Sequence, residues 1–468
     1  MSIASVASCR HERGHIVDSI FFGNRYGSDE SRAIFCDLCR CQRWLDIEAA
    51  LAAAEADLGI IPDWAAREIR AAACLDRVDV ELVRKATEEA GHSLVGLLRV
   101  LTDACAGDAG QYVHFGATTQ DIQDTGQVLE MRDVFDVVDR QLRDLGRRIA
   151  ALAAEHAQLV AVGRTHARAA LPIGLGLKFA GWLDELQRHA ERIAQARERV
   201  LVAQLFGGAG SMAGFGAQGP ALLARFAARL GVGVPVIGWH SARDRTVEFV
   251  TTLAMLAGTA ARIADEVRTL SRPEFGELEE AWRPGKVGSS TMPHKRNPEG
   301  CEQVVVMARL AAAQATAAFA ALIGDHERDA RALRIEWSCV PDVSHSCLCA
   351  LATLRPVLDG LIVHGDRVTA NARAVADEIT SERLMFVLAE HVGKQRAHDL
   401  VYRLTQDARA RQRPLAEVLA HHPEVAEHVD AGRLADLTDP RSYVGASLAL
   451  VTATVAAARP WLTESAFR

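Results

Sequence analysis

The sequence predicts an all-α protein. Aromatic residues make up only 5% of it although 49% is apolar, runs alternating with period two are scarce, and apolar residues recur at spacings of three and four. With 468 residues the chain is long enough for roughly two to four domains around a large core.

Residues 28 to about 110 read as short and medium helices broken at Gly59 to Pro62 and around Gly91, a small N-terminal helical domain closed by the segment His114 to Asp121. From Ile122 the pattern lengthens. Val134, Val138, Leu142, Leu145, Ile149 and Leu152 mark one long helix, and Leu175, Phe179, Leu183, Leu186, Ala190 and Ile193 mark a second. Further helices are expected over 246–270, 299–323 and 346–364, separated by Gly207-Gly208-Ala209-Gly210 and by a loop from Gly288, after which Pro298 opens a helix at Glu299. Beyond about 368, shorter helices are punctuated at Gly393, Pro414 and Pro423. The expected division is 1–117 (N-terminal helical), 118–368 (central long-helix bundle) and 369–468 (C-terminal helical). Helices of 20 to 30 residues span about 30 to 45 Å, more than a compact monomer needs. Apolar neighbours such as Val137 and Val138, or Leu175 and Leu177, put contacts on both sides of each helix.

A net charge of −7, a pI near 6.2 and the lack of a long basic run argue against a nucleic-acid surface and for a small-molecule partner. The N-terminus lacks the apolar core of a leader, and no uncharged stretch is long enough to span a bilayer, so no membrane association and a cytoplasmic protein are expected. Ten scattered cysteines suit free thiols. Cys36-x-x-Cys39-x-Cys41 has a zinc-like spacing, but it lies in a helical pattern with no second Cys/His pair nearby, so neither a metal nor a cofactor is expected.

Chemistry concentrates in Gly288-Ser289-Ser290-Thr291-Met292-Pro293-His294-Lys295-Arg296-Asn297-Pro298. A glycine and two prolines make a stiff loop, the serines offer a nucleophile or a base together with backbone donors, and Lys295 and Asn297 suit a carboxylate. Removing a proton next to a carboxylate requires just such groups, because the developing charge spreads into that carboxylate.

This loop resembles the signature of the fumarase/aspartase superfamily, in the form found in adenylosuccinate lyases and 3-carboxy-cis,cis-muconate cycloisomerases. His114-Phe115-Gly116-Ala117-Thr118-Thr119-Gln120-Asp121 resembles the first signature region of that family, and Gly163-Arg164-Thr165-His166 the second. The resemblance implies a homotetramer with a core of five long helices per subunit and active sites shared between three subunits. It makes Ser289 the catalytic base and pairs His166 with Glu302; that carboxylate would orient the ring as a general acid or binding group. His114 is a second candidate acid. Thr118, Thr119, Thr165, Arg168, Ser290, Met292, Lys295, Asn297 and Arg25 fall at substrate-binding positions.

Arg25-Tyr26 resembles the start of adenylosuccinate lyases, where such a pair approaches a nucleotide phosphate. Against that, Leu333-Arg334-Ile335-Glu336-Trp337 ends in tryptophan where those enzymes carry arginine, and Trp239 to Arg245 resembles the cycloisomerase branch. Unlike bacterial cycloisomerases the chain keeps His166, and Arg168 stands where relatives carry glutamine. The reading that follows is β-elimination with C–N cleavage from a succinate-type dicarboxylate to give fumarate, with nitrosuccinate the favoured substrate; alternatives are 3-carboxy-cis,cis-muconate cycloisomerase and adenylosuccinate lyase. Some members of the superfamily are inactive structural proteins, but this chain retains both Ser289 and His166.

Overall fold

The computed structural model describes residues 15–282 and 285–463. It is built almost entirely of helices, as the apolar spacing requires. The N-terminal residues read for a leader lie largely outside the described part.

Five long helices dominate: Thr119–Glu155, Leu175–Val200, Asp244–Leu270, Glu299–Phe319 and Ala330–Asp359. In the first, Ile122, Val128, Val134, Val138, Leu142, Leu145, Ile149 and Leu152 are all at most 1% exposed, so the three-and-four spacing marks a face that packs. The last of the five begins sixteen residues before the expected 346–364, because Pro341 lies inside it. Proline lacks an N–H and crowds the preceding turn, which argues against a helix there until tertiary packing overrides it. It ends at Asp359 because Ile362–Val363 pairs with Leu278–Glu279 in a short antiparallel ladder.

The chain forms two compact units, each assembled from three stretches. One comprises Met1–Gln141, His189–Ala261 and Gln303–Thr353, the other Leu142–Arg188, Arg262–Glu302 and Leu354–Arg468. Thr119–Glu155 supplies residues to both, and the division into three consecutive domains at 117 and 368 stands as a proposal about sequence blocks. In the first unit, Leu45, Ile47, Leu51, Leu94, Leu97 and Leu101 from the N-terminal helices pack with Ile122, Leu129, Leu222 and Phe226. In the second, Leu384, Leu388, Leu400, Leu404, Leu419 and Leu437 form the core of the short C-terminal helices.

A longer pair of strands also departs from the helical expectation. Val160–Thr165 and Arg168–Gly174 form an antiparallel hairpin with a register shift at Gly163/Arg164, and it carries the second motif. Its Val162 packs on Ala372 and Ile379, some two hundred residues on, a contact that no local pattern announces.

Candidate active site

The signature loop folds back on itself. Ser289 Oγ accepts the backbone N–H groups of Met292 at 3.0 Å and Thr291 at 3.3 Å, and Asn297 Nδ2 donates to Gly288 O at 2.7 Å. A Cβ at Gly288 would lie 2.1 Å from Lys295 O, so only glycine fits that crossing. Two ion pairs brace the loop, Arg296 with Glu279 at 3.2 Å and Lys286 with Glu280 at 3.1 Å, and both cations lie over the Trp282 ring. Glu280 also caps the helix Glu299–Phe319 by accepting the N–H groups of Gly300 and Cys301. Ser289 is half-buried, whereas Ser290, Met292 and Lys295 are exposed. The loop thus presents an acceptor oxygen already solvated by backbone donors, with an uncommitted cation close in sequence.

His166 sits at the tip of the hairpin. It and Ala167 are the two loop residues between Thr165 and Arg168, with φ of 48° and 61°, the left-handed backbone of a type I′ turn. Neither residue is glycine, so the conformation is held by its surroundings. Arg164 provides part of that hold: it forms two bonds to Glu277, at 2.6 and 3.0 Å, and lies 4.6 Å over the Phe275 ring, while Asn371 donates to the same carboxylate at 2.8 Å. Glu277 is 1% exposed. Thr165, His166 and Arg168 are all exposed. His166 and Glu302 form no hydrogen bond with each other within the protomer, and Glu302 is exposed on the first turn of its helix.

The first motif lies where Thr119–Glu155 begins. Asp121, fully buried, accepts N–H groups from Thr118, Phe206 and Gly207 and bonds His240 Nε2 at 2.9 Å, so one carboxylate ties the motif to the glycine-rich segment. His114, at φ 58°, bonds Glu48 Oε1 through Nδ1 at 2.7 Å. Burial alone would lower the pKa of His114, but the charge and hydrogen bond of Glu48, with a further contribution from Asp121, raise it above the ordinary histidine value.

Two features of this cluster were not picked out from the sequence. Arg328 Nη1 donates to Thr118 Oγ1 at 2.7 Å and Arg328 Nε to Gln120 Oε1 at 3.1 Å, placing a guanidinium on a hydroxyl expected at a substrate-binding position. Burial, then Arg328 and Arg334, hold His92 below its usual pKa, a sign of positive potential there. Beneath the motif, Arg243, 1% exposed, joins Asp124 and Glu336, and Gln127 adds a bond to Glu336 at 2.8 Å. The only local signal was a polar helix start, with acids at positions 121 and 124, ahead of the apolar stripe.

The Arg25 side chain is exposed; its carbonyl accepts from Gln303 Nε2 and Cys349 Sγ. Of Cys36, Cys39 and Cys41, Cys36 caps its helix by accepting the N–H of Cys39, and Cys41 turns into the core. Among the described residues no group of three or more His, Cys, Asp or Glu side chains is arranged to hold a metal ion.

This helical scaffold agrees with the relatives of the chain. A family described as "Lyase" matches residues 24–313, and "Adenylosuccinate lyase C-terminus" matches 378–454. The chain is 37% identical to an N-acetyl-S-(2-succino)cysteine lyase of Dickeya dadantii over 92% of its own length and 95% of that protein. Among solved structures it is similar to a fumarate lyase of Mesorhizobium sp. BNC1 (TM-score 0.86, 37% identity, covering 92% of this chain and 98% of that one). A 3-carboxy-cis,cis-muconate lactonizing enzyme of Pseudomonas putida matches with TM-score 0.87 at 34% identity, covering 95% and 100%. The chain is an enzyme, a lyase of the fumarase/aspartase superfamily, on the branch that holds the adenylosuccinate lyases and carboxymuconate cycloisomerases.

Proposed function

We propose that this enzyme releases fumarate from a 2-substituted succinate by β-elimination. The observation that carries the reading is Ser289 Oγ at the focus of two backbone N–H groups, since an alkoxide strong enough to take a carbon-bound proton needs such donors to exist. Ser289 removes the C3 proton, while Lys295 and Asn297, with Ser290 and Met292 beside them, hold the C4 carboxylate as negative charge spreads into it. Thr118, Thr119 and Arg328 suit the other carboxylate. The electron pair of the C2–heteroatom bond leaves with the substituent, and His114 protonates it where it needs a proton. His166, oriented by Glu302 of another subunit, binds substrate beside Thr165 and Arg168, and Arg25 closes the site.

Arg168 favours a leaving group that carries its own negative charge. N-Acetyl-S-(2-succino)cysteine has a carboxylate on its leaving group, and the Dickeya relative bears the name of that lyase, so it is the first substrate to test. Nitrosuccinate is the second reading, a C–N cleavage in which Arg168 faces the nitro oxygens and nitrite departs with little need of an acid.

The exposed apolar side chains Val306, Leu310 and Phe319 along one long helix, with Leu322 in the turn that follows it, favour burial against further copies of the chain. That suits a homotetramer whose sites each draw on three subunits.

The test is ultraviolet detection of fumarate from the purified protein offered N-acetyl-S-(2-succino)cysteine, nitrosuccinate and adenylosuccinate in parallel, with 3-carboxymuconate followed by its own absorbance loss. Ser289→Ala is expected to lower turnover by about 10² to 10⁴-fold with the oligomer intact. Full turnover by that variant would move the base elsewhere, and loss of 3-carboxymuconate alone would replace elimination by lactonisation.

A further inference from the structure

Behind His114 lies a pair of buried acids. Glu48 and Glu55 are seven residues apart on the helix Asp37–Ala56, close to two full turns, so they share a face. Glu48 is 1% exposed and Glu55 fully buried. One oxygen of Glu48 is bonded to His114 Nδ1 at 2.7 Å; the other, and both oxygens of Glu55, have no hydrogen-bond partner among the described residues. A carboxylate so enclosed persists only beside a cation, and otherwise takes up a proton. His114 supplies the cation for Glu48. Glu55 has no such partner, and burial together with the charge of Glu48 pushes it up to about 9, leaving it a neutral acid at physiological pH. Glu55 thus adds no charge behind the Glu48 oxygen that touches the histidine.

We infer that Glu48 is a positioning residue for the elimination: it fixes His114 through Nδ1–H and keeps the ring a cation, reserving the Nε2 proton for the departing atom. This rests on the reading of His114 as the acid. The step balances without another reactant. Ser289 accepts the C3 proton, the C2–heteroatom pair leaves with the heteroatom, the Nε2 proton passes to it, and the ring is left neutral with Nδ1–H still on Glu48 until solvent returns a proton to Nε2 and takes one from Ser289. The titratable groups that act on His114 are Glu48 from its supporting helix and Asp121 from the helix Thr119–Glu155, while Glu55 acts on Glu48 from one face of that same supporting helix. The segment around Phe215, whose ring packs against Gly116, brings none. Arg328 bonds Thr118, four residues on.

The experiment compares Glu48→Gln, Glu48→Asp and His114→Ala with the wild type in the full-length oligomer, on whichever substrate yields fumarate. Glu48→Gln is expected to lower kcat by at least about tenfold, to change KM by much less, and to move the alkaline limb of the kcat profile to lower pH, because a ring without its carboxylate gives up its proton sooner. Glu48→Asp should restore part of both. Unchanged kcat and an unchanged limb in Glu48→Gln, with His114→Ala inactive, overturn the inference about Glu48 while leaving His114 as the acid. Full turnover by His114→Ala overturns the reading on which it rests. A measurement on the wild type avoids dependence on a variant that folds: carbethoxylation of His114 across pH, located by peptide mass spectrometry. A midpoint above the ordinary histidine value of about 6.5 supports the inference, and a midpoint at or below it overturns it.

Discussion

Ser289, His114 and Glu55 show how far a residue's chemistry depends on what surrounds it. The sequence marks Ser289 through its loop, but the donors that make it a plausible base, the N–H groups of Thr291 and Met292, come from the way the loop turns. His114 stood out by motif, whereas Glu48, sixty-six residues earlier, reads in sequence as an ordinary acid in a helix. Arg328 was passed over for the same reason, since its bond to Thr118 spans 210 residues. Glu55 carries a prediction at this scale. A carboxyl whose pKa rises on folding, here from an ordinary 4.5 to about 9, binds its proton more tightly when folded. Its contribution to stability is full below about pH 4.5 and is lost as pH rises toward 9. Denaturation of the wild type should therefore show a loss across that window that Glu55→Gln removes, approaching roughly 5 kcal/mol by pH 8. Parallel curves for the two proteins would mean that Glu55 is charged in the folded state.

At the scale of elements, the helices were legible and the hairpin was not. Long apolar stripes such as Val134 to Leu152 repeat often enough to declare themselves, but strands of six and seven residues do not, and the hairpin is anchored by Val162 against Ala372 and Ile379 and by Arg164 on Glu277. The signature loop is intermediate: its composition announced a site, and its closure is visible only in the fold. Gly288 tests that closure. Alanine there would place a methyl 2.1 Å from Lys295 O, so the backbone crossing must open and the donors to Ser289 shift. Gly288→Ala is expected to lose about 10²-fold or more in kcat with a small change in Tm, because an exposed loop adds little to global stability. A large fall in Tm with kcat preserved would assign the glycine to folding instead.

At the scale of the whole molecule, two helices, Asp244–Leu270 and Glu299–Leu322, are long and apolar enough to cross a membrane by length and composition alone. The first is 61% buried over its most apolar window and the second 39%, so the second keeps an apolar face outward. Within the proposed tetramer that face lies between subunits. Leu310→Glu should then shift the protein to smaller species in analytical ultracentrifugation and, if the sites are shared between subunits as proposed, lower fumarate formation in proportion, since a charge buried at an interface is costly. A dissociated variant with full activity would show that one chain holds a whole site. What the sequence by itself determined is the helical class, the long stripes and the three motifs with their reactive side chains, because periodicity and loop chemistry are local. What only the tertiary structure decided is which buried acid faces His114, which arginine sits on Thr118 and what steadies the turn at His166, because each depends on residues far apart in the chain brought together by packing.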